Sequence, residues 1–187
     1  MKKIAILASG SGSNAENIVN YFKDKKDISF KIYSNKKDAY VLERAKRLGV
    51  PYESFLKSEL EDGTFLSKLI AEKVDFVVLA GFLLKIPDEM LTVFPDKIVN
   101  IHPSLLPKYG GKGMYGIRVH EAVLAAGEEQ SGCTVHYVSA EVDGGTIIAQ
   151  SSVPVMPVDT PEKLAQRVQQ AEKNLLPQVI GDLLSNT

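Results

Sequence analysis

Short apolar runs alternate with segments of helical spacing along most of this chain, and this alternation limits the fold more than any other feature. Seven runs have the length and composition of strands: residues 3–8, 30–34, 52–55, 76–80, 97–101, 134–138 and 146–153. Segments with helical spacing lie between the first five runs, which predicts βαβ units and a parallel sheet. Residues 77–80 are apolar without alternation, as expected of a strand covered on both faces. The loop between the last two runs is too short for a helix, so these strands are predicted to form a hairpin.

The last segment, from Thr160 to Leu184, predicts a long helix. Its apolar residues form one stripe at three- and four-residue spacing: Leu164, Val168, Ala171, Leu175, Val179 and Leu183. Pro161 suits the first helical turn, whereas Pro177 predicts a kink or an end to the first part of the helix. The predicted fold class is α/β: a Rossmann-like, doubly wound, mostly parallel sheet with a C-terminal hairpin and a long C-terminal helix. A length of 187 residues suits a single domain, covering 1–187.

The charge and the cysteine content disfavour several classes of function. The formal net charge is −1 and no basic stripe is present, which disfavours nucleic-acid binding. The single cysteine, Cys133, lies in a strand pattern, so we expect a buried thiol in a reducing compartment. The three histidines lack the spacing of a metal site. No run approaches a membrane span, and the N-terminal run is too short for a signal peptide, so we expect a cytoplasmic protein without a metal or a membrane partner.

A glycine-rich loop follows the first strand. Residues 9–15 are Ser-Gly-Ser-Gly-Ser-Asn-Ala, and Ser13 is predicted to form a capping box with Glu16 at the start of a helix. Backbone N–H groups at such a helix start bind anions, most often phosphate. The spacing Gly-x-Gly-x-x-Ala also satisfies a relaxed dinucleotide fingerprint, but residues 33–37 lack its acidic partner. A small phosphate-bearing ligand is therefore favoured over a dinucleotide or a purely structural turn.

Two polar side chains end the fifth strand run. Asn100 and His102 are two residues apart, so both point to the same face of an extended strand. Open α/β sheets bind ligands at the carboxyl ends of their strands. An amide can stabilise an oxyanion, and an imidazole can donate or carry a proton near neutral pH. Asp143, which precedes two glycines after the sixth run, offers a carboxylate partner; the alternative is a satisfied turn pair without a catalytic role.

Four blocks of the chain resemble, in their sequence and their order, the phosphoribosylglycinamide formyltransferase family. The members of this family are folate-dependent enzymes of purine biosynthesis. The blocks are residues 8–14, residues 34–36 with 42–45, residues 78–82, and residues 100–107 with 143–145. The last block is shared with other users of 10-formyltetrahydrofolate, whereas the glycine loop and the short length favour this family. The resemblance covers nearly the whole chain and implies formyl transfer from 10-formyltetrahydrofolate to the amine of glycinamide ribonucleotide. It places the phosphate-binding loop in residues 1–100 and the folate and catalytic loops in residues 101–187.

The resemblance also implies roles for individual residues. The implied catalytic positions are Asn100, His102 and Asp143, with His136 in support. The positions implied to bind the ribonucleotide are Gly12, Ser13, Asn14, Leu83, Ile101 and Glu172. Those implied to bind folate are Phe82, Leu84, Lys85, Ile86, Asn100, Val138 and Glu141. Without the resemblance, Glu172 would be interpreted as a solvated helix charge, segment 82–86 as core, and His136 as a packed strand histidine.

The chain departs from the family pattern in two loops. Residues 58–63 are acidic where the family has an arginine for the substrate phosphate, so we hypothesise that Lys112 or Lys57 takes that role. The loop 109–116 is rich in glycine and lacks the family's proline. His120, which follows this loop, is expected to start a helix rather than to contact substrate.

Two alternatives to this function stay open. The first is another 10-formyltetrahydrofolate-dependent formyltransferase or a deformylase, although such relatives usually carry an added domain and this chain is expected to be the catalytic domain alone. The second is a non-catalytic nucleotide-binding module, since many functions share this architecture. The expected partners are small-molecule substrates, and the expected assembly is a monomer or a homodimer.

Overall fold

The computed structural model describes all residues from Met1 to Thr187. Its elements, in chain order, are β1 (Lys2–Leu7), α1 (Ser13–Tyr21), β2 (Ile28–Ser34), α2 (Tyr40–Leu48), β3 (Tyr52–Ser54), α3 (Lys57–Glu61), α4 (Thr64–Ala71), β4 (Phe76–Leu79), α5 (Asp88–Val93), β5 (Ile98–His102), α6 (Ile117–Ala125), β6 (Gln130–Tyr137), β7 (Ile147–Pro154) and α7 (Pro161–Ser185). The strands form one sheet of order β3-β2-β1-β4-β5-β6-β7. The predicted α/β class, with a mostly parallel sheet, a C-terminal hairpin and a long C-terminal helix, is confirmed.

The chain divides into two compact units, Met1–Val99 and Asn100–Thr187. In the first unit, β1 pairs in parallel with β2 and β4, so that Ile6 aligns with Ile32 on one side and Val78 on the other. Strand β3 adds to the far side of β2, also in parallel. The last four residues of β1 and all of β4 are buried, which explains why these segments are apolar without alternation. That a single domain spans 1–187 stays a prediction.

The second unit is built around the hairpin of β6 and β7. The two strands pair antiparallel with Thr134 opposite Gln150, and the register shifts between Val135 and His136. Such irregularities re-aim side chains and are frequent beside binding sites. Helix α7 packs against both strands through a buried apolar stripe that includes Leu164.

Helix α7 begins where it was predicted to begin, but it does not end at Pro177. Thr160 caps it, with Oγ1 accepting a hydrogen bond from the Lys163 N–H at 3.2 Å, and Pro161 lies in the first turn. Of the two effects predicted for Pro177, an end to the first part of the helix was wrong, because the helix runs unbroken to Ser185, whereas a kink stays a prediction. Pro177 removes one backbone hydrogen bond, but it is buried within the apolar stripe whose packing holds both sides of the helix in place.

The strand bounds differ from the predicted runs by a few residues. The largest difference is at β6, which begins at Gln130 rather than at residue 134. Strand β5 extends to His102, so the backbone of this residue is held by the sheet. None of the seven helices is both long and apolar enough to cross a membrane.

Candidate active site

The glycine loop of the first unit turns sharply into α1. Gly12 caps this helix with a left-handed backbone (φ 77°, ψ 25°), and a Cβ atom there would lie 2.2 Å from Val41 Cγ2. Only glycine fits, because the position combines positive φ with close contact to α2. The first turn of an α-helix presents N–H groups that lack acceptors within the helix, which gives this end a partial positive charge. The loop therefore has the geometry of an anion site, and phosphate binding there stays a prediction.

Hydrogen bonds tie this loop to the neighbouring strand ends. Ser9 Oγ donates to Asn35 Oδ1 at 2.6 Å and accepts from the Leu83 N–H at 3.0 Å. The Val41 N–H donates to the Gly10 carbonyl oxygen at 3.1 Å. Loops after β1, β2 and β4 are thus joined at the carboxyl edge of the parallel strands, where ligands of open α/β sheets bind. This role of Ser9 could not be predicted from the sequence, since it depends on three loops meeting.

The predicted capping box between Ser13 and Glu16 was wrong. Ser13 is already helical and no side chain caps α1; the Glu16 carboxylate instead pairs with Arg44 and, at 3.3 Å, with Arg47. Arg44 also donates from Nε to the Ser11 carbonyl oxygen at 2.7 Å. A cation is therefore held against the glycine loop, and sequence reasoning missed it because residue 44 is distant in the chain.

The two lysines hypothesised to replace the family's arginine are both exposed. Lys57 pairs with Glu61 one helical turn later at 3.4 Å, which is a weak contact at a surface. Lys112 lies in the loop before α6. Both ammonium groups are accessible to an anionic ligand, and their role stays a prediction.

The segment implied to bind folate, residues 82–86, is partly core. Phe82 and Ile86 are buried, as expected for this segment without any functional role. Leu83 and Lys85 are exposed, Leu83 to 52%, and Leu84 is half-buried. The middle of the segment therefore presents the most accessible side chains to a ligand.

His102 is the centre of the polar cluster in the second unit. Its Nε2 lies 2.8 Å from the Tyr109 carbonyl oxygen, to which it donates, and its Nδ1 lies 3.5 Å from Asp143 Oδ2. Both side chains are almost fully buried. In the imidazolium form, the ring would present one N–H to each of these oxygen atoms.

Asn100 is oriented by a second histidine. His136 Nδ1 donates to the Tyr137 carbonyl oxygen at 2.9 Å, which leaves Nε2 as an acceptor, and the Asn100 amide donates to it at 3.1 Å. Burial, above all, lowers the pKa of His136, with the nearby charge of His102 adding to the effect, so the ring is neutral at neutral pH. An amide nitrogen carries two N–H groups, so Asn100 keeps one for another acceptor.

The backbone of two loops brings Asp143 to His102. Asp143 itself has a left-handed backbone (φ 56°), and its Oδ2 accepts from the Gly111 N–H at 2.9 Å. A Cβ on Gly145 would lie 1.7 Å from the Tyr137 carbonyl oxygen, so only glycine lets this loop close. The sequence could not show the Gly111 contact, because its donor is a backbone N–H that most residues could supply.

The remaining residues implied by the family pattern are placed as follows. Ile101 is buried in β5, while Val138 is half-buried and Glu141 exposed in the loop between β6 and β7. Glu172, on α7, is only 7% exposed, so the alternative of a solvated helix charge was wrong. Its charge helps to raise the pKa of Cys133, after the larger effect of burial.

Cys133 and His120 have no place in this chemistry. Cys133 is fully buried and burial raises its pKa to about 12, which confirms the expected inert thiol. His120 lies in the first turn of α6, as predicted, and burial lowers its pKa. No group of three or more His, Cys, Asp or Glu side chains is arranged to hold a metal ion.

This arrangement is suited to acyl-type transfer. An oriented amide N–H can stabilise a developing oxyanion, and a buried imidazole beside a carboxylate can hold positive charge near it. Asp143 and His102 together can also accept and return a proton.

Comparisons with known proteins agree with this chemistry. The model of the family described as "Formyl transferase" matches residues 2–180. A chloroplastic phosphoribosylglycinamide formyltransferase of Arabidopsis thaliana is 46% identical over 96% of this chain, and the enzyme of that name from Haemophilus influenzae is 41% identical over 96% of this chain and 86% of its own length. The chain spans less than two thirds of the plant relatives that it matches, 64% and 61%.

Solved structures give the same result. The crystal structure of phosphoribosylglycinamide formyltransferase from Streptococcus pneumoniae superposes with a TM-score of 0.86 at 38% identity, and the match covers 98% of this chain and 99% of that one. Sequence and fold therefore agree over the whole length of both proteins. The chain belongs to the formyl transferase family and, within it, to the phosphoribosylglycinamide formyltransferases.

Proposed function

We propose that this protein transfers a formyl group from 10-formyltetrahydrofolate to the amine of glycinamide ribonucleotide, as an enzyme of purine biosynthesis. The observation that carries the proposal is the cluster of Asn100, His102 and Asp143, in which each side chain is buried or half-buried and held by a separate partner. Membership of the family supports the choice of donor and acceptor.

The formyl donor supplies the electrophilic carbon and, at N10, the leaving nitrogen. As the attacking amine forms its bond to this carbon, the carbonyl oxygen gains negative charge. The free N–H of Asn100 and the positive ring of His102 stabilise that charge, and one well-placed donor accounts for about 100- to 1000-fold in rate. Breaking the bond to N10 then restores the carbonyl group.

Proton transfer completes the balance of the reaction. The attacking amine loses one proton and N10 gains one when the carbon–nitrogen bond breaks. The Asp143 carboxylate lies against His102, so the pair can accept the proton that the amine loses and return it to N10. The 3.5 Å separation between Nδ1 and Oδ2 exceeds hydrogen-bond distance, and such contacts commonly tighten when substrate binds.

The family pattern suggests which residues bind each of the two substrates. The phosphate of the ribonucleotide is proposed to bind at Gly12, Ser13 and Asn14, where the start of α1 presents N–H groups. Leu83, Ile101 and Glu172 complete the residues proposed for this substrate. Folate is proposed to contact Phe82, Leu84, Lys85, Ile86, Val138 and Glu141 in addition to Asn100, with the accessible groups of segment 82–86 closest to the ligand.

A folate-product absorbance assay with both substrates tests the proposal. Asp143→Asn is the sharpest variant, because asparagine tolerates the left-handed backbone and removes only the charge. We expect turnover that requires the ribonucleotide and falls at least about 100-fold in both Asp143→Asn and His102→Ala. Formate release without the ribonucleotide would identify a hydrolase instead. Ribonucleotide binding without turnover, unaffected by the variants, would identify a binding module.

The cellular setting is also part of the proposal. We infer a cytoplasmic enzyme that is a monomer or a homodimer and acts on small molecules. The plant relatives are chloroplastic, so localisation of a tagged full-length protein is the direct test.

A further inference from the structure

Helix α2 holds the glycine loop by its backbone carbonyl groups. The Val41 N–H donates to the Gly10 carbonyl oxygen at 3.1 Å, and Arg44 Nε donates to the Ser11 carbonyl oxygen at 2.7 Å. Both donors belong to the first two turns of α2. Two successive peptide groups of the loop are therefore turned with their oxygen atoms toward this helix.

The orientation of these carbonyl groups also fixes the direction of the next N–H groups. In a planar trans peptide, the C=O bond and the following N–H bond point in opposite directions, and both of these peptides are trans. The N–H groups of Ser11 and Gly12 therefore point away from α2. Gly12 is left-handed and the next residue begins α1, and such a change of hand brings successive N–H groups to one side of the chain, where an anion can bind. The affinity of this loop for an anion thus depends on how α2 holds it.

Arg44 is itself fixed by a carboxylate and by an aromatic ring. Its Nη1 donates to Glu16 Oε2, and its guanidinium carbon lies 5.0 Å from the centre of the Tyr40 ring. The side chain of Arg44 is only 23% exposed. The planar guanidinium contacts Ser11 and Glu16 at once with N–H groups in fixed directions, which an ammonium on a flexible lysine chain does not reproduce.

The charge of Arg44 is already compensated within the protein. Glu16 pairs with Arg44 and, at 3.3 Å, with Arg47. The guanidinium of Arg44 also lies on the carbonyl side of the Ser11–Gly12 peptide, opposite to its N–H side. These observations favour an indirect action of Arg44 on a bound anion, through the orientation of the loop, over direct contact.

We propose that Arg44 is a positioning residue, which orients the Ser11–Gly12 peptide and thereby sets the affinity of the glycine loop for a phosphate monoester. The inference rests on the proposed function for its ligand, because that function places the ribonucleotide phosphate at Gly12, Ser13 and Asn14. The hydrogen bonds of Arg44 go to the loop and to Glu16, and none goes to a catalytic side chain. Arg44 therefore controls binding of the ribonucleotide rather than the rate of formyl transfer.

The direct test uses ribose 5-phosphate, which carries a phosphate monoester but no amine to be formylated. It is titrated into isotope-labelled full-length protein, and the amide NMR signals of residues 12–14 are followed. In Arg44→Lys, which keeps the positive charge, we expect the affinity to fall about 3- to 30-fold, the range of effects that one contact transmits. Arg47→Gln is the matched control, because it removes a charge beside the same carboxylate from an exposed position, and its affinity should stay within about 2-fold of the wild type.

Two further measurements separate positioning from general damage to the fold. With both proposed substrates, Arg44→Lys should raise the KM for the ribonucleotide, while kcat and the affinity for tetrahydrofolate stay within about 2-fold of the wild type. Arg44→Met keeps the aliphatic chain but no donor, so it should weaken the binding of ribose 5-phosphate further. Circular dichroism and urea denaturation check that the variants are folded.

Four results would overturn the proposal. They are a wild-type protein that does not bind ribose 5-phosphate, an unchanged affinity in both Arg44 variants, an equal loss of affinity in Arg47→Gln, and an equal loss of tetrahydrofolate affinity in Arg44→Lys. The third would show that net charge controls binding, and the fourth that Arg44 has a general structural role. A wild-type protein that binds ribose 5-phosphate without turnover refutes the proposed function alone, since the comparison of the Arg44 and Arg47 variants stays valid.

Discussion

Replacing Gly12 by alanine tests whether packing, as well as ligand binding, requires glycine in the first loop. The backbone of Gly12 is left-handed, and an added Cβ would meet Val41 at three atoms, Cγ2 at 2.2 Å, Cβ at 2.5 Å and Cα at 2.9 Å. Because the third atom is backbone, rotation of the valine side chain cannot remove the clash. Helix α2 or the loop itself has to move.

The expected loss of stability has two parts. Alanine in the left-handed region costs about 1–2 kcal/mol. Forcing a methyl group into a packed contact costs about 1–3 kcal/mol more. The free energy of unfolding should therefore fall by about 2–5 kcal/mol, a large share of the roughly 5–15 kcal/mol of a typical domain.

Urea denaturation of Gly12→Ala and Gly10→Ala measures this loss with a matched control. Gly10 is exposed in the same loop, has no left-handed φ, and an added Cβ there meets no atom within 4 Å. Its variant should stay within about 0.5 kcal/mol of the wild type. Val41→Ala in the Gly12→Ala background should destabilise less than the sum of the two single changes. A Gly12→Ala protein as stable as the control would refute the packing argument.

Three other changes give separate tests. Native Cys133 should resist thiol reagents at neutral pH and react after unfolding in urea, because it is buried with a pKa of about 12. Arg167 lowers the pKa of Asp159 to about 2. The pair therefore stabilises the fold above the unfolded pKa of about 4, and this stabilisation is lost as the pH falls through 2. Arg167→Gln is less stable than the wild type near neutral pH, and this difference, measured by denaturation at each pH, should shrink over that range. Gly145→Ala should lower the urea midpoint and the rate of formyl transfer, since its Cβ would lie 1.7 Å from the Tyr137 carbonyl oxygen.

The fold could be predicted because its signals are local and repeated. Each of the seven strands lies at a predicted run, and the apolar stripe from Leu164 onward identified α7. The predicted helix end at Pro177 was wrong, because the sequence shows the local cost of one lost hydrogen bond but not the packing against other elements that outweighs it. The capping box predicted at Ser13 was wrong in a similar way, since Arg44 competes for the carboxylate that the capping box needed.

The sequence could predict those parts of the candidate site whose chemistry follows from the type of side chain. Asn100, His102 and Asp143 stand out in the sequence because amides, imidazoles and carboxylates are the groups that stabilise charge and move protons. The tautomer of His136 could not be predicted, because it depends on a carbonyl oxygen that any residue at 137 would supply. The contact between Tyr109 and His102 could not be predicted for the same reason, because it uses the backbone carbonyl oxygen of Tyr109.

This dependence on backbone atoms explains how the loop 109–116 can depart from the family pattern. Its two contacts with the catalytic residues come from the Tyr109 carbonyl oxygen and the Gly111 N–H. Neither contact depends on the side chains that follow, so the two contacts place no requirement on the side chains of residues 112–116. Gly110 is more constrained, because a Cβ there would lie 2.5 Å from a Leu106 methyl group and 3.3 Å from Asp143 Cβ. The site therefore requires that the backbone of this loop lie close to His102 and Asp143 as far as Gly111. The proline found in the family is one of several ways to continue the chain beyond that point.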